Sequence, residues 1–296
     1  MFITLSDGNT THYEFLGAEG APLVVLVHGI SIPMYSWEHI APQLAHAGFR
    51  VLRYDVYGRG ESAYPLADYD RNLLMGQLTG LLGALVGEQE RVNLVGFSFG
   101  GAMAALFASL YCPHVDRLAL VSPFARMPPQ LDTRKTMRLP LVGELLMRFK
   151  LKPALQARAA RLLAAAGLPA DNMRKFEAQL ARPEFARAFL SLLRSNALDP
   201  YGPAYASVAA SGMPTALAWG TGDEDITAES MAYTREALKP RKYLEVPGAT
   251  HGGILMDGGG LVSFLLDFLR EPLPEPPPAP VADDPSDRSD RREARI

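Results

Sequence analysis

Short apolar runs alternate with longer stretches of helical periodicity through the first 123 residues of the chain. Residues 10–15 alternate between polar and apolar, and 23–27 reads Leu-Val-Val-Leu-Val, wholly apolar and rich in β-branched side chains. That second pattern predicts a strand buried on both faces of a mostly parallel sheet. Further strands are predicted at 50–54, 91–95 and 118–121, with helices at 37–46, 73–86 and 100–110 between them. Regular alternation of strand and helix implies right-handed crossovers and a doubly wound α/β sheet with helices on both faces.

After Ser122-Pro123 the rhythm changes. Helical patterns recur at 154–166, 172–181 and 185–198, and no strand pattern returns until 214–219 and 242–246. An amphipathic helix at 261–269 ends the periodic region. The expected organisation is an α/β core of 1–123 and 212–270, interrupted by a helical cap at 124–211. From 271 onward the sequence is proline-rich and then mixes acids with arginines, a composition too polar to pack, which predicts a disordered tail at 271–296.

Composition adds limits. Of 296 residues, 48% are hydrophobic and 21% charged, as in ordinary globular enzymes, so a packed core is expected. A net charge of −3 gives no electrostatic footprint for nucleic acid. The single cysteine, Cys112, excludes an intramolecular disulfide and a thiolate cluster for zinc. The first residues show no basic start followed by an apolar signal core, and no run of about 18 uncharged apolar residues exists, so a cytoplasmic protein without a membrane span is expected. Charge is unevenly spread: 126–194 holds fourteen Lys and Arg against five Asp and Glu. This basic segment reads either as a solvated helical surface or as a lid that attracts anionic substrates or makes weak contact with anionic membrane surfaces.

The candidate chemistry begins at Gly96-Phe97-Ser98-Phe99-Gly100-Gly101, a Gly-x-Ser-x-Gly pattern between a predicted strand and a predicted helix. A nucleophile elbow needs that context: the serine sits on a tight strained turn, and side chains at the flanking glycines would collide with strand and helix. The competing reading, a glycine-rich turn that binds phosphate, normally carries a different glycine spacing. A serine hydroxyl needs a base, and His251, in the small-residue loop Pro247-Gly248-Ala249-Thr250-His251-Gly252 after a strand, is the histidine best placed to serve. The acid that orients it is expected after 214–219, where Asp223 is the first choice and Asp225 and Glu224 are alternatives. Phe99, directly after the nucleophile, and Ile30, in Val27-His28-Gly29-Ile30, are the candidate oxyanion-hole amides. His28 is read as a loop-shaping group. The Gly58-Arg59-Gly60 stretch lacks the third glycine of a dinucleotide loop and is read as a structural turn.

Taken together, His28-Gly29, Asp55-x-x-Gly58-x-Gly60-x-Ser62, Gly96-Phe97-Ser98-Phe99-Gly100-Gly101, Trp219-Gly220-x-x-Asp223 and Gly248-x-x-His251 resemble the α/β-hydrolase superfamily, in particular its cap-bearing serine esterases and lipase-like members. The resemblance spans nearly all of 2–270. It implies an eight-stranded, mostly parallel sheet with the cap inserted after strand six, a Ser98, Asp223, His251 triad, and neither metal nor organic cofactor. The acid loop departs from the family pattern in carrying Asp225 just after Asp223. Serine at 98 argues against dehalogenase or epoxide hydrolase chemistry, which in this superfamily uses a carboxylate nucleophile. Met34, Phe97, Phe124, Met127 and Ile254 are candidates for an apolar substrate pocket. The leading expectation is hydrolysis of a small to medium apolar acyl or aryl ester. The alternatives are hydrolysis of a carbon–carbon bond in a ring-cleavage product and ligand binding without turnover.

Overall fold

The computed structural model describes residues 1–87, 90–127, 134–139, 141–165, 167–256 and 260–273. The expected tail beyond 273 lies outside them. Eight strands form one sheet: β1 (Phe2–Thr4), β2 (Thr10–Leu16), β3 (Leu23–Val27), β4 (Arg50–Tyr54), β5 (Val92–Phe97), β6 (Val115–Val121), β7 (Thr215–Gly220) and β8 (Lys242–Val246). Their order is β1-β2-β4-β3-β5-β6-β7-β8. The first two pairings are antiparallel and the remaining five parallel, so the chain folds as an open, mostly parallel α/β-hydrolase sheet.

The helices are α1 (Ala41–His46), α2 (Arg71–Leu85), α3 (Phe99–Leu110), α4 (Arg134–Met137), α5 (Val142–Leu146), α6 (Lys152–Ala165), α7 (Ala170–Ala181), α8 (Pro183–Arg194), α9 (Gly202–Ala210), α10 (Ala228–Leu238) and α11 (Leu261–Leu269). Every residue of β3, β5 and β7 is buried, which is why these strands are predominantly apolar, β3 without a break. Alternate side chains go to opposite faces. Val25, Val27, Leu94 and Leu217 pack in one core with α2, α3, α9 and α10. Val24, Leu26, Val95 and Ala216 pack in a second core with α1 and α11.

Several elements differ from the sequence expectation. The helix expected at 37–46 is a 3₁₀ turn, Met34–Trp37, followed by a shorter α1 that starts around Pro42, whose missing N–H suits a helix N-terminus. The helix expected to reach 198 ends at Arg194, where the Ser195 hydroxyl accepts from the Ala197 amide and starts a separate 3₁₀ turn. Between β6 and β7 the described residues form helices joined by turns and loops, and no strand. A third apolar cluster, with Met147, Leu155, Phe176, Phe185 and Phe189, sits there and rests on Ile30, Ile32 and Tyr64. The chain rejoins the main core earlier than the expected boundary at 211, since Leu198, Tyr201, Tyr205 and Val208 all pack in it. Tyr205 clamps this return by donating 2.6 Å to the Phe124 carbonyl. Among the described residues, no helix is long and apolar enough to cross a membrane.

Candidate active site

Ser98 stands between β5 and α3 with φ 56° and ψ −124°, in the positive-φ region that costs a non-glycine residue strain. Its surroundings hold it there. The Ser98 amide donates to Val121 O of the neighbouring strand at 2.9 Å, and its carbonyl accepts from the amides of Gly101 (3.0 Å) and Phe124 (3.0 Å). The flanking glycines are required by space: a Cβ on Gly96 would lie 2.5 Å from Gly100 O, and one on Gly100 would lie 2.3 Å from the carbonyl oxygens of both Val27 and His28. The turn therefore presses against the end of β3, and the hydroxyl faces the carboxyl edge of the sheet.

Two other loops at that edge meet the hydroxyl. His251, after β8, places Nε2 at 2.9 Å from Ser98 Oγ and Nδ1 at 2.8 Å from Asp223 Oδ2. With an ionised acid, Nδ1 donates and Nε2 is left to accept from the serine. Asp223, after β7, is fixed by its other oxygen, which accepts from the amides of Asp225 (2.9 Å) and Ile226 (2.8 Å). The loops carrying Asp223 and His251 are laced together, Gly222 N to Ala249 O at 3.0 Å and Gly248 N to Thr221 Oγ1 at 2.8 Å. All three side chains are nearly buried. Burial alone would push the Asp223 carboxyl up. The hydrogen bond and charge of His251, with the Ile226 amide, outweigh it and hold the group below the usual carboxylate range. Asp225, the alternative acid, lies 4.0 Å from the opposite ring nitrogen, Nε2, and is paired with Arg158 of α6.

The loop after β3 abuts Ser98, since a Cβ on Gly29 would lie 3.3 Å from Ser98 Cβ. His28 shapes it from within. Its Nδ1 donates 2.7 Å to Gly29 O and its Nε2 accepts from Val56 N at 2.9 Å, an arrangement that needs a neutral ring. Complete burial lowers its pKa to about 4. Arg59, also buried, donates through Nε to Ile30 O at 2.5 Å, with its guanidinium beside the rings of Phe185 and Phe189 of α8. Desolvation brings its pKa down to about 10. Asp55 organises the turn after β4, its carboxylate accepting from Met34 N, His12 Nδ1 and Glu61 N.

The sequence profile described as the alpha/beta hydrolase family matches residues 24–264. The chain belongs to that family. It is 29% identical over 233 residues to the 2-hydroxy-6-oxononadienedioate/2-hydroxy-6-oxononatrienedioate hydrolase of Paraburkholderia xenovorans, covering 75% of this chain and 78% of that one. Over 122 residues, 38% of this chain and 36% of the relative, it is 40% identical to epoxide hydrolase A of Mycobacterium tuberculosis. The crystal structure of the enol-lactonase from Burkholderia xenovorans shares the fold, with a TM-score of 0.74 at 22% identity over 92% of this chain and 100% of that one.

Within this alpha/beta hydrolase, Ser98, His251, Ile30 and Phe97 line one cavity with Arg158, Leu162, Leu163 and Leu168 from the helical segment above. It leaves about 30 Å³ of free space, room for a water or two. A larger groove, about 1240 Å³, runs between α8 and the 66–70 loop and contains neither Ser98 nor His251. Of the five expected pocket residues, Phe97 lines the Ser98 cavity and stacks at 4.7 Å on the His251 ring. The other four do not line it. Met34 borders a separate depression beside Asp55, Phe124 and Met127 pack on the core around α9, and Ile254 is buried under α11. Alternation along a loop does not say which side chain turns inward, so these were not separable in the sequence. The lining leucines and Arg158 were missed, although positions 155, 159, 162 and 163 recur at helical spacing and mark the inner face of α6. Among the described residues one cluster has metal-ligand composition, Asp223, Asp225 and His251. Its donors are already engaged, Asp223 with His251 and two amides, Asp225 with Arg158.

Proposed function

We propose that this chain is a carboxylic ester hydrolase working through an acyl-enzyme on Ser98, with His251 as base and Asp223 as its orienting acid. The observation that carries the reading is the unbroken hydrogen-bonded chain from Ser98 Oγ through His251 to Asp223, ending on a serine held at positive φ. In the proposed cycle Oγ attacks the acyl carbon while its proton passes to His251 Nε2. The negative oxygen that develops is met by the Ile30 and Phe99 amides, each worth about 3 kcal/mol of barrier in comparable sites. Phe99 opens α3, so its N–H has no carbonyl one turn back within the helix. The imidazolium then protonates the departing alcohol, and a water deprotonated by His251 releases the acid and restores Ser98.

The substrate proposed is a small to medium apolar acyl or aryl ester, since Phe97, Leu162, Leu163 and Leu168, with Ile30, Ile32 and Leu255, supply the apolar part of the cavity wall. The helical segment of α4 to α8 is proposed as a lid, because its own apolar cluster rests on the loops around the site. A stopped-flow assay with p-nitrophenyl esters of graded acyl length tests the reading. A burst of p-nitrophenol is expected, absent in Ser98→Ala while the unfolding midpoint is unchanged; wild-type turnover by Ser98→Ala would refute the assignment.

A second reading, hydrolysis of a carbon–carbon bond in an anionic ring-cleavage product, is favoured by the Paraburkholderia relative and by Arg158 in the cavity wall. It uses the same three side chains. Cleavage of such a dienoate diketone without ester turnover would select it over the first.

A further inference from the structure

The outer surface of the helical segment carries an apolar face that the proposed chemistry does not use. Of the eleven exposed large hydrophobic side chains among the described residues, five (Leu139, Leu141, Val142, Leu145 and Phe149) fall within one stretch of eleven positions. Leu145 and Phe149 follow at four-residue spacing, so they share one side of the helix, and exposed Leu141 caps its start at φ 64°. Leu141, Leu145 and Phe149 are 75%, 55% and 65% exposed. The opposite side of the same element is anchored: Gly143 and Met147 are buried, and Met147 belongs to the apolar cluster of the lid. This is a fixed helix whose inner face is satisfied and whose outer face is apolar.

Cations frame that face. Arg138, Arg148 and Lys150 are exposed and Lys152 is partly so, while Glu144, the one acid between 138 and 152, is tied to Arg194 at 3.0 Å. An apolar stripe edged by lysine and arginine is the composition of a helix that lies in the interfacial plane of a bilayer. We infer that this face docks the protein shallowly onto an anionic lipid bilayer, with Leu141, Leu145 and Phe149 at the boundary of headgroups and acyl chains and the flanking cations against lipid phosphates. Two arguments select a bilayer over a second copy of the chain. A two-fold dimer contact places the same patch on both sides, so these cations would meet their own kind. The stripe is also small, eight residues of rise or about 12 Å, below what a stable protein interface of roughly 1,200 Å² needs.

The docking element is continuous with the one that covers Ser98. Residues 142–165 are helical throughout, α5 passing through a π-helical turn, Met147–Leu151, into α6, whose Arg158, Leu162 and Leu163 wall the cavity. Docking would therefore hold the lid helix itself at the lipid surface.

The test is co-sedimentation of the full chain with vesicles of phosphatidylcholine mixed with phosphatidylglycerol and with vesicles of phosphatidylcholine alone, beside light scattering of the free protein. Binding to the anionic vesicles is expected, weakening as salt rises. Phe149→Ala should weaken it about tenfold, Arg148→Gln and Lys150→Gln roughly fivefold each, and Leu145→Asp with Phe149→Asp should abolish it. These exposed positions support no core, so unchanged circular dichroism and unchanged turnover of a water-soluble ester are expected for each variant. Equal binding by the double aspartate variant, equal binding to neutral vesicles, no binding at all, or a concentration-dependent dimer that the same variant dissolves would each overturn the proposal.

Discussion

At the scale of single residues, the neighbouring carboxylates Asp223 and Asp225 are separated by where their loop turns. Asp223 reaches Nδ1 of His251 and is anchored by two amides, whereas Asp225 faces Nε2 at 4.0 Å and is held by Arg158. Asp223→Asn should lower kcat for ester hydrolysis about 10⁴-fold through the wrong tautomer, while Asp225→Asn should cost less than about tenfold. Comparable losses in the two variants, by steady-state kinetics, would contradict this division of labour. His28 makes a different prediction. Its ring is neutral in the fold, with a pKa lowered to about 4, whereas in the unfolded chain it ionises near 6.5. Its contribution is complete above the unfolded value and is lost as pH falls from there to about 4, a loss of about 3 kcal/mol. Asp223 is also depressed, so its contribution begins to fade only below the unfolded carboxylate value of 3.8, beneath the His28 window. Urea unfolding measured between these pH limits should show the loss in the parent and a flatter profile in His28→Gln. Parallel profiles would remove His28 as its source.

At the scale of elements, what was legible was what burial imposes on composition. The strands β3, β5 and β7 are buried end to end, and their mostly apolar sequences, unbroken in β3, announced both the strands and the edge where Ser98, Asp223 and His251 meet. The glycines around Ser98 were legible for a related reason, because backbone occupies the place a side chain would need, that of α3 at Gly96 and that at the end of β3 at Gly100. Less could be read where contacts run between distant segments. The break after Arg194 depends on the Ser195 hydroxyl turning back onto the Ala197 amide, and the identity of the pocket wall depends on how α6 is rotated over the sheet. Helical spacing fixes which positions of α6 share a face but not what lies beneath it. The consequence is testable at Leu162, whose side chain comes within 2.7 Å of where a Cβ on Gly252 would lie. Leu162→Ala should raise kcat/KM for longer acyl esters several-fold relative to acetate, because about 30 Å³ of free space admits no long chain. An unchanged acyl profile would mean that the substrate enters elsewhere.

At the scale of the whole molecule, the sheet supplies position and the helical segment supplies enclosure. Arg59 ties the two, its guanidinium holding the carbonyl of Ile30 on one side and lying against Phe185 and Phe189 on the other, so the loop after β3 and α8 share a single buried side chain. The charge imbalance was visible from residue counts, but only the folded chain shows that the basic segment also bears the apolar face beside the helix over Ser98. The proposed hydrolysis depends on Ser98 as nucleophile, and its most direct test is covalent. Incubation with a fluorophosphonate, followed by peptide mass spectrometry, should find one adduct, on Ser98, suppressed at least about 10³-fold in rate in His251→Ala. A folded parent protein that takes up no label at Ser98, or labels equally fast without the histidine, would contradict it.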